Sequence, residues 1–363
     1  MKFLLSDDQA TLVAAVRDFA VKRCDAGVRR EAFESATGHD PDFWRGLVGL
    51  GVAGIAVSEQ DGGLGLGLLE LALAGEVLGY AGAPGPFFGH VMAIQSIVLC
   101  GSEGQKRNWL PRLLAGDTIG TIAWSEPGIS MPERWSASLS ASRLSGRKVD
   151  VPYAAQADLM VVGTEDGFAL VEGNALGIGI TEHETNDRTR RLSTVEFSAT
   201  PAAPMPASGE LRRRTFDAAL VLLAADAFGG ACRLMDMSVD YAKVREQFGR
   251  PIGSFMGLKH QLADMAVDVE PARGLYWYAA HAHDENGEDH SRVAAIAKAH
   301  LAEIYMKTAR TAIETHGGIG YTWEYDAQIW YKRAMHDFAM LGTPAIHRER
   351  AVSLAGWEAA RRL

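Results

Sequence analysis

At 363 residues the chain exceeds what one hydrophobic core ordinarily organises, so two or three structural units sharing an interior are expected. A composition of 47% hydrophobic and 22% charged residues with 39 glycines excludes disordered, collagenous and repeat classes. A formal net charge of -9 excludes broad nucleic-acid binding, which needs a basic surface to meet phosphates.

Residues 4 to 118 read as helix. "SDDQATLVAAVRDFAVKRC" begins at a capping serine and repeats apolar residues at spacings of three and four, and "LLELALAGEVLGYA" and "GQKRNWLPRLLAGD" continue the pattern. The period changes near Ile119. "TIGTIAWS", "SASLSASRLSG", "ADLMVVGTEDGFALVEG" and "RLSTVEFSA" alternate or run apolar over strand lengths, and Asp166-Gly167 is a hairpin signal. A small antiparallel barrel or sandwich is expected there. "SATPAAPMPASGE" reads as a Pro/Ala linker, after which helices return at about 217 to 247, 254 to 284 and 291 to 315. Long helices with short joins predict an antiparallel bundle.

The expected fold class is therefore α+β. It has an N-terminal helical domain (1–118), a middle antiparallel β-domain (119–210) and a C-terminal helical bundle (211–363). With no βαβ alternation and no G-x-G-x-x-G after a strand, a Rossmann fold is excluded.

Cys24, Cys100 and Cys232 are odd in number and far apart, so they read as reduced packing residues in a cytosol-like compartment. The apolar start of "MKFLLSDDQ" is too short for a signal peptide, and no uninterrupted apolar stretch of about 18 residues exists to span a membrane. A soluble, cytoplasmic protein is expected. The basic run "LRRRT", with Arg212, Arg213 and Arg214, reads as a solvated face or a domain junction.

Two tracts carry candidate chemistry. In "YAKVREQFGRPIGSFMGLKHQLADMAVDVE", Arg245 beside Phe248 suits a diphosphate and an adenine face. Taken alone, Arg245 reads as a cap on helix carbonyls and Phe248 as core. "ETHGGIGYT" ends a helix on Gly317 and Gly318, which permit both a left-handed cap and close backbone approach to a ligand. A third constellation, His281, His283, Asp284 and His290 of "HAHDENGEDH", lacks the spacing of a metal site and reads as a solvated turn between helices.

Together these tracts resemble the acyl-CoA dehydrogenase family over the whole chain. "FLLSDDQATLVAAVRDFA" is similar to its first helix, "GVAGIAVSEQDGGLGLGLLE" to the segment leading into the next helices, and "IAWSEPG" to its flavin-side strand and turn. "YAKVREQFGRPIG" and "HGGIGYTWEYDAQIWYKRA" resemble its two carboxy-terminal signatures, in order and at about the usual separation. The resemblance implies a helical domain, a β-domain and a four-helix bundle, with α,β-oxidation of a coenzyme A thioester and FAD as hydride acceptor. A desolvated carboxylate takes the α-proton in that chemistry, because the proton is only weakly acidic.

Carried over residue by residue, the implied site divides into unequal halves. The adenine and diphosphate half is well matched at Arg245, Phe248, Gly317, Gly318 and Gly320, and in the family it reaches across a dimer interface. Glu314 stands where an amide is usual. Ser125 of the "SEPG" turn and Thr343 complete the implied cofactor positions. The ring half departs from the pattern: the tract that carries a flavin-facing Trp and Thr/Ser reads "RKVDVPYAAQAD", with Asp150, Pro152 and Tyr153, and Pro152 offers neither N–H nor hydroxyl.

Both positions for the base are apolar. Counted back from Gly342-Thr343 the usual glutamate is Leu341; counted back from Tyr241 the alternative is Ala219. Asp226, two turns past Ala219 on one face, is the first substitute, followed by Asp337 and His336 one turn before Leu341, while Asp217 points elsewhere. For each, the ordinary reading is a solvated or salt-bridged side chain.

Three readings remain open. The chain is a non-catalytic subunit of a heteromeric acyl-CoA dehydrogenase that supplies the adenine half of an FAD site to a second, related subunit. Alternatively it is a self-sufficient homotetramer with a displaced acid, or a flavin-free assembly protein of the same fold.

Overall fold

The computed structural model describes residues 4–205 and 207–356. The first helix, α1 (Asp7–Arg23), starts at the capping serine: Ser6 accepts from the Gln9 N–H and the Gln9 side chain accepts from the Ser6 N–H, so two otherwise unpaired donors are satisfied. α2 (Ala26–Glu34), α3 (Pro41–Gly49), α4 (Leu68–Ala81), α5 (Phe87–Cys100) and α6 (Glu103–Ala115) follow.

Two four-stranded sheets succeed them. β1 (Gly120–Ala123), β4 (Leu159–Thr164), β5 (Gly167–Glu172) and β8 (Ala203–Met205) form one, in the order β1-β4-β5-β8. β2 (Ser138–Ser140), β3 (Arg143–Pro152), β7 (Leu192–Pro201) and β6 (Ile178–His183) form the other. The expectation of a wholly antiparallel unit needs correcting, because β1 and β4 pair in parallel. The chain leaves the first sheet after β1, builds β2 and β3 of the second, and returns beside β1 in the same direction.

The hairpin between β4 and β5 is present one residue earlier than its signal: Thr164 pairs with Gly167, leaving Glu165 and Asp166 as the turn. The Pro/Ala tract is not a free linker. β7 runs to Pro201, and β8 pairs with β5 at the sheet edge, where the missing N–H of Pro204 costs no ladder bond inside the sheet.

α7 (Gly209–Val244) begins at Ser208, whose hydroxyl accepts from the Leu211 N–H, and so starts earlier than the apolar period suggested. A two-stranded hairpin follows, β9 (Glu246–Gln247) with β10 (Arg250–Pro251). The expected helix over 254 to 284 is divided into α8 (Met256–Val269) and α9 (Arg273–Asp284) by a 3-10 turn containing Pro271. α10 (His290–His316), α11 (Ala327–Ala339) and α12 (Pro344–Leu354) complete the bundle.

α7 is long and apolar enough to cross a membrane by composition alone, but most of its apolar window is buried against α4, α9 and α10. Its contact with α4 is backbone-close: a Cβ on Gly229 would lie 2.0 Å from the Glu76 carbonyl oxygen, and one on Gly79 2.3 Å from that of Asp226. The basic run at its start is a junction. Arg212 donates to the Glu165 carbonyl at 2.9 Å and Arg214 to that of His283 at 3.1 Å.

Candidate functional site

The ends of α7 and α10 are brought together by an aromatic stack. The His316 ring lies 4.5 Å from Tyr241 and 4.6 Å from Tyr325. Arg245, one turn beyond Tyr241, and Gly317, the residue after His316, therefore sit at the same end of the bundle.

Arg245 ends α7 with its N–H on the Tyr241 carbonyl at 2.8 Å, while its carbonyl accepts from Ile252 at 2.7 Å. Its side chain is exposed and makes no hydrogen bond or ion pair among the described residues, so it does not cap the helix carbonyls. Phe248 is not core: it is 92% exposed at the tip of the β9–β10 hairpin, with φ +55° and an edge contact to Phe255 at 6.1 Å. Apart from that edge contact, no aromatic ring stacks on Phe248 among the described residues.

Gly317 has φ +64° and ψ -141°, a conformation essentially limited to glycine. A Cβ on Gly318 would meet nothing within 4 Å, so intrachain packing does not demand glycine there. The bare backbone is open to an external group. Gly320 differs, since its added Cβ would crowd His316 at 3.1 Å and the Ile313 carbonyl at 3.2 Å. Glu314 is exposed on the last turn of α10, and its carbonyl accepts from the Gly317 N–H. Thr343 is the N-cap of α12, half-buried, with no cap bond from its hydroxyl. Packing within the chain accounts for Gly320 but not for Gly318, whose backbone is open.

The ring half is built otherwise. Ser125 is buried at the end of β1 and its carbonyl accepts from Val149. Next to it the Glu126 carboxylate receives Lys148 at 2.7 Å and the N–H groups of Ser136 and Ala137. Burial would raise this carboxyl, but Lys148 and Ser136 hold it down to about 2. Burial lowers Lys148 in turn to about 8, against the pull of Glu126.

Asp150 lines a pocket of about 370 Å³ with Arg190, Leu192, Lys332, His336 and Met340. Met335 and Ala339 also line it, so the pocket mixes charged and apolar surface. Tyr153 is a structural tie, its hydroxyl donating to the carbonyls of Gly38 (3.0 Å) and Thr189 (3.2 Å).

Both positions that the resemblance gives for the base are closed. Ala219 has no exposed surface, and Leu341 is 2% exposed with φ +56°. The turn at Leu341 is locked by His347, 3.0 Å from its carbonyl, and by Lys298, 3.3 Å from that of Gly342. Beside Ala219, Phe216 packs with Trp124 and Trp135 at ring distances of 6.2 and 6.4 Å, filling the space between α7 and the first sheet.

Asp226 is a salt-bridged carboxylate. Arg333 donates Nε to its Oδ2 at 2.8 Å and Arg190 donates to its Oδ1 at 3.1 Å. Burial would raise the carboxyl, yet the two guanidinium charges hold it far below the usual carboxylate range. Asp217 is likewise buried, paired with Arg350 at 2.7 Å and bonded by Ser291 and His290. Asp337 alone moves upward: burial and the Asp226 charge push it to about 6, with His336 Nδ1 3.1 Å from its Oδ1. Its side chain has no exposed surface through which to meet a substrate.

Of the constellation at His281, His283, Asp284 and His290, all but His281 are tied into the fold. His283 is bonded to the Arg214 carbonyl, His290 to Asp217, and Asp284 caps α4 through the N–H of Leu68 at 2.8 Å. The Arg190–Asp226–Arg333 group was missed in the sequence, although a charge inside the apolar run "LLAADAF" signals a buried partner.

Helical, sheet and helical units in this order define a protein of the flavin-dehydrogenase type. The model of the acyl-CoA dehydrogenase N-terminal domain matches residues 6–117 and that of the C-terminal domain residues 211–353. The chain belongs to the acyl-CoA dehydrogenase family. It is 32% identical to acyl-CoA dehydrogenase IpdE2 of Mycolicibacterium smegmatis, over 94% of this chain and 96% of that one, and 30% identical to IpdE2 of Mycobacterium tuberculosis over 93% and 94%. Among solved structures it is similar to a variant of the Tcur3481-Tcur3483 steroid ACAD (TM-score 0.91, 29% identity, 98% and 99% covered). It is also similar to the ChsE4-ChsE5 complex of Mycobacterium tuberculosis (TM-score 0.87, 26% identity, 99% of each chain).

Proposed function

We propose that this chain is the non-catalytic subunit of a heteromeric acyl-CoA dehydrogenase and supplies the adenine half of an FAD site to a related subunit. The observation that carries the reading is an asymmetry. Arg245, Phe248 and the Gly317-Gly318 backbone are exposed and unused within the chain, while Ala219 and Leu341 are sealed inside it.

FAD, when bound, accepts the β-hydride of a coenzyme A thioester. In this arrangement Arg245 would hold the diphosphate, Phe248 would cover the adenine, and the bare backbone at Gly318 would let the phosphates approach. The partner supplies the ring pocket and the carboxylate. Two of the similar structures bear two-protein names, Tcur3481-Tcur3483 and ChsE4-ChsE5, which favours a heteromer and a bulky, steroid-derived acyl group.

A self-sufficient homotetramer is the weaker reading, since Asp226, its first candidate acid, is held by two arginines. The test is to purify the chain alone and co-expressed with a related subunit encoded beside it, then measure native mass, flavin absorbance and turnover. FAD and activity confined to the mixed complex support the proposal. Full flavin and turnover on the lone chain overturn it.

A further inference from the structure

Arg245 and the Gly317-Gly318 backbone come from different elements, so one diphosphate meets both only if the ends of α7 and α10 keep a fixed separation. His316 is the joint between them. Its ring is buried, and Nδ1 lies 2.7 Å from the Ala312 carbonyl, one turn back along α10. Tyr241 of α7 faces it at an interplanar angle of 31° and Tyr325, from the loop after the glycine turn, at 39°. The two tyrosine rings are themselves 6.0 Å apart, so the three rings form one cluster. Arg245 takes its place from this cluster through the bond of its N–H to the Tyr241 carbonyl.

The far end of the loop is fixed independently. Asp326 pairs with Arg29 at 3.0 Å and with Arg30, both on α2, and Arg30 donates to the Trp323 carbonyl at 3.1 Å. Lys332 of α11 lies 4.4 Å from the centroid of the Trp323 ring. Between these anchors and His316 nothing presses on the two bare glycines, since a Cβ on Gly317 or on Gly318 would meet no atom within 4 Å. Gly320 packs back onto His316, its added Cβ only 3.1 Å from the His316 Cβ. The glycine backbone therefore inherits its position from the ring cluster at one end and the α2 anchor at the other.

On the half-site reading above, we infer that Tyr241, His316 and Tyr325 are positioning residues: the ring cluster sets the distance between Arg245 and the glycine backbone, and so decides whether both reach the same diphosphate. Aromatic pairs favour particular separations and tilts, which aliphatic side chains in their place do not impose. A charge-assisted hydrogen bond weakens steeply once donor and acceptor leave a narrow range of distance and angle. The rings act through Arg245 and the glycine turn without touching the ligand.

The experiment is FAD titration of the flavin-free mixed complex, followed by flavin fluorescence, with each variant made in this chain and measured below its own melting temperature. Tyr325→Leu and Tyr241→Leu are each expected to weaken FAD about tenfold, and Tyr325→Phe and Tyr241→Phe to recover the wild-type affinity, because the ring sets the spacing. Combined with Arg245→Ala, either leucine variant should lose less than the product of the two single losses, since the ring works through that arginine. Losses that multiply, or phenylalanine variants as weak as the leucine ones, overturn the inference. Tyr241→Leu, on the other side of the joint, carries the test if Tyr325→Leu does not fold. Arg245→Ala with undiminished affinity sinks the half-site reading itself, whereas loss in Arg245→Ala with none in the leucine variants sinks the positioning role alone.

Discussion

Arg333 and Asp226 form a buried ion pair, with Nε 2.8 Å from Oδ2 and a second guanidinium nitrogen on Oδ1, and Arg190 shares the same carboxylate. The pair joins α11 to α7 and, through Arg190, both to the segment before β7. It places a fixed charge where a displaced catalytic acid would have to move a proton.

Asp226→Asn should therefore act on stability before anything else. Removing the carboxylate leaves two buried guanidinium groups without their counter-charge, a loss of about 3–5 kcal/mol. Urea unfolding at neutral pH measures it. An unchanged midpoint with altered turnover would restore Asp226 as a working acid.

Arg245→Ala removes a charge-assisted contact of about 1.5–3 kcal/mol, so the mixed complex should release FAD about ten- to a hundredfold more readily. Gly318→Val should act in the same direction without unfolding the chain, because the space around Gly318 is open. Flavin absorbance after gel filtration and the melting temperature separate the two effects. Undiminished flavin in Arg245→Ala would remove this residue from the site.

Leu341→Glu should create no turnover. The position is sealed and its turn is held by His347 and Lys298. Burying the new carboxylate should cost about 1–3 kcal/mol instead. Dye reduction with an acyl-CoA substrate, on the lone chain and on the complex, is the measurement; new activity contradicts the lent-half-site reading.

Asp337 gives the expected pH dependence. Burial and the Asp226 charge raise its carboxyl to about 6, while His336 and Arg333 pull it down and Lys298 binds its carbonyl. A raised carboxyl favours the protonated folded state, so its contribution is complete below about pH 4 and is lost as pH rises through 6. Asp337→Asn should stabilise the chain by about 1–3 kcal/mol at pH 8 relative to wild type, and hardly at pH 4. Parallel stability curves for the two proteins would refute this.

Much of the fold was legible locally. The Ser6 cap, the switch to strands near Ile119 and the two carboxy-terminal signatures each lie within a short window, and so do the apolar residues at Leu341 and Ala219. Period and capping depend on neighbours three or four positions away, so one stretch of sequence is enough to read them. Less was legible where partners are distant in sequence. The parallel pairing of β1 with β4 and the conversion of the Pro/Ala tract into an edge strand depend on which element arrives alongside.

The amino-acid sequence by itself determined the family, the order of helical and sheet units, and the apolar residues at positions 219 and 341. Only the tertiary structure decided which charged residues are free. Asp226 is bound because Arg190 and Arg333 arrive from other elements, Phe248 is exposed because it sits at a hairpin tip with an edge contact to Phe255, and Arg350 retains a nitrogen with no partner among the described residues because Asp217 engages only one side of its fork. The effective charge and reach of an ionisable group are set by its desolvation and its nearest counter-charge, and both are properties of packing rather than of sequence distance.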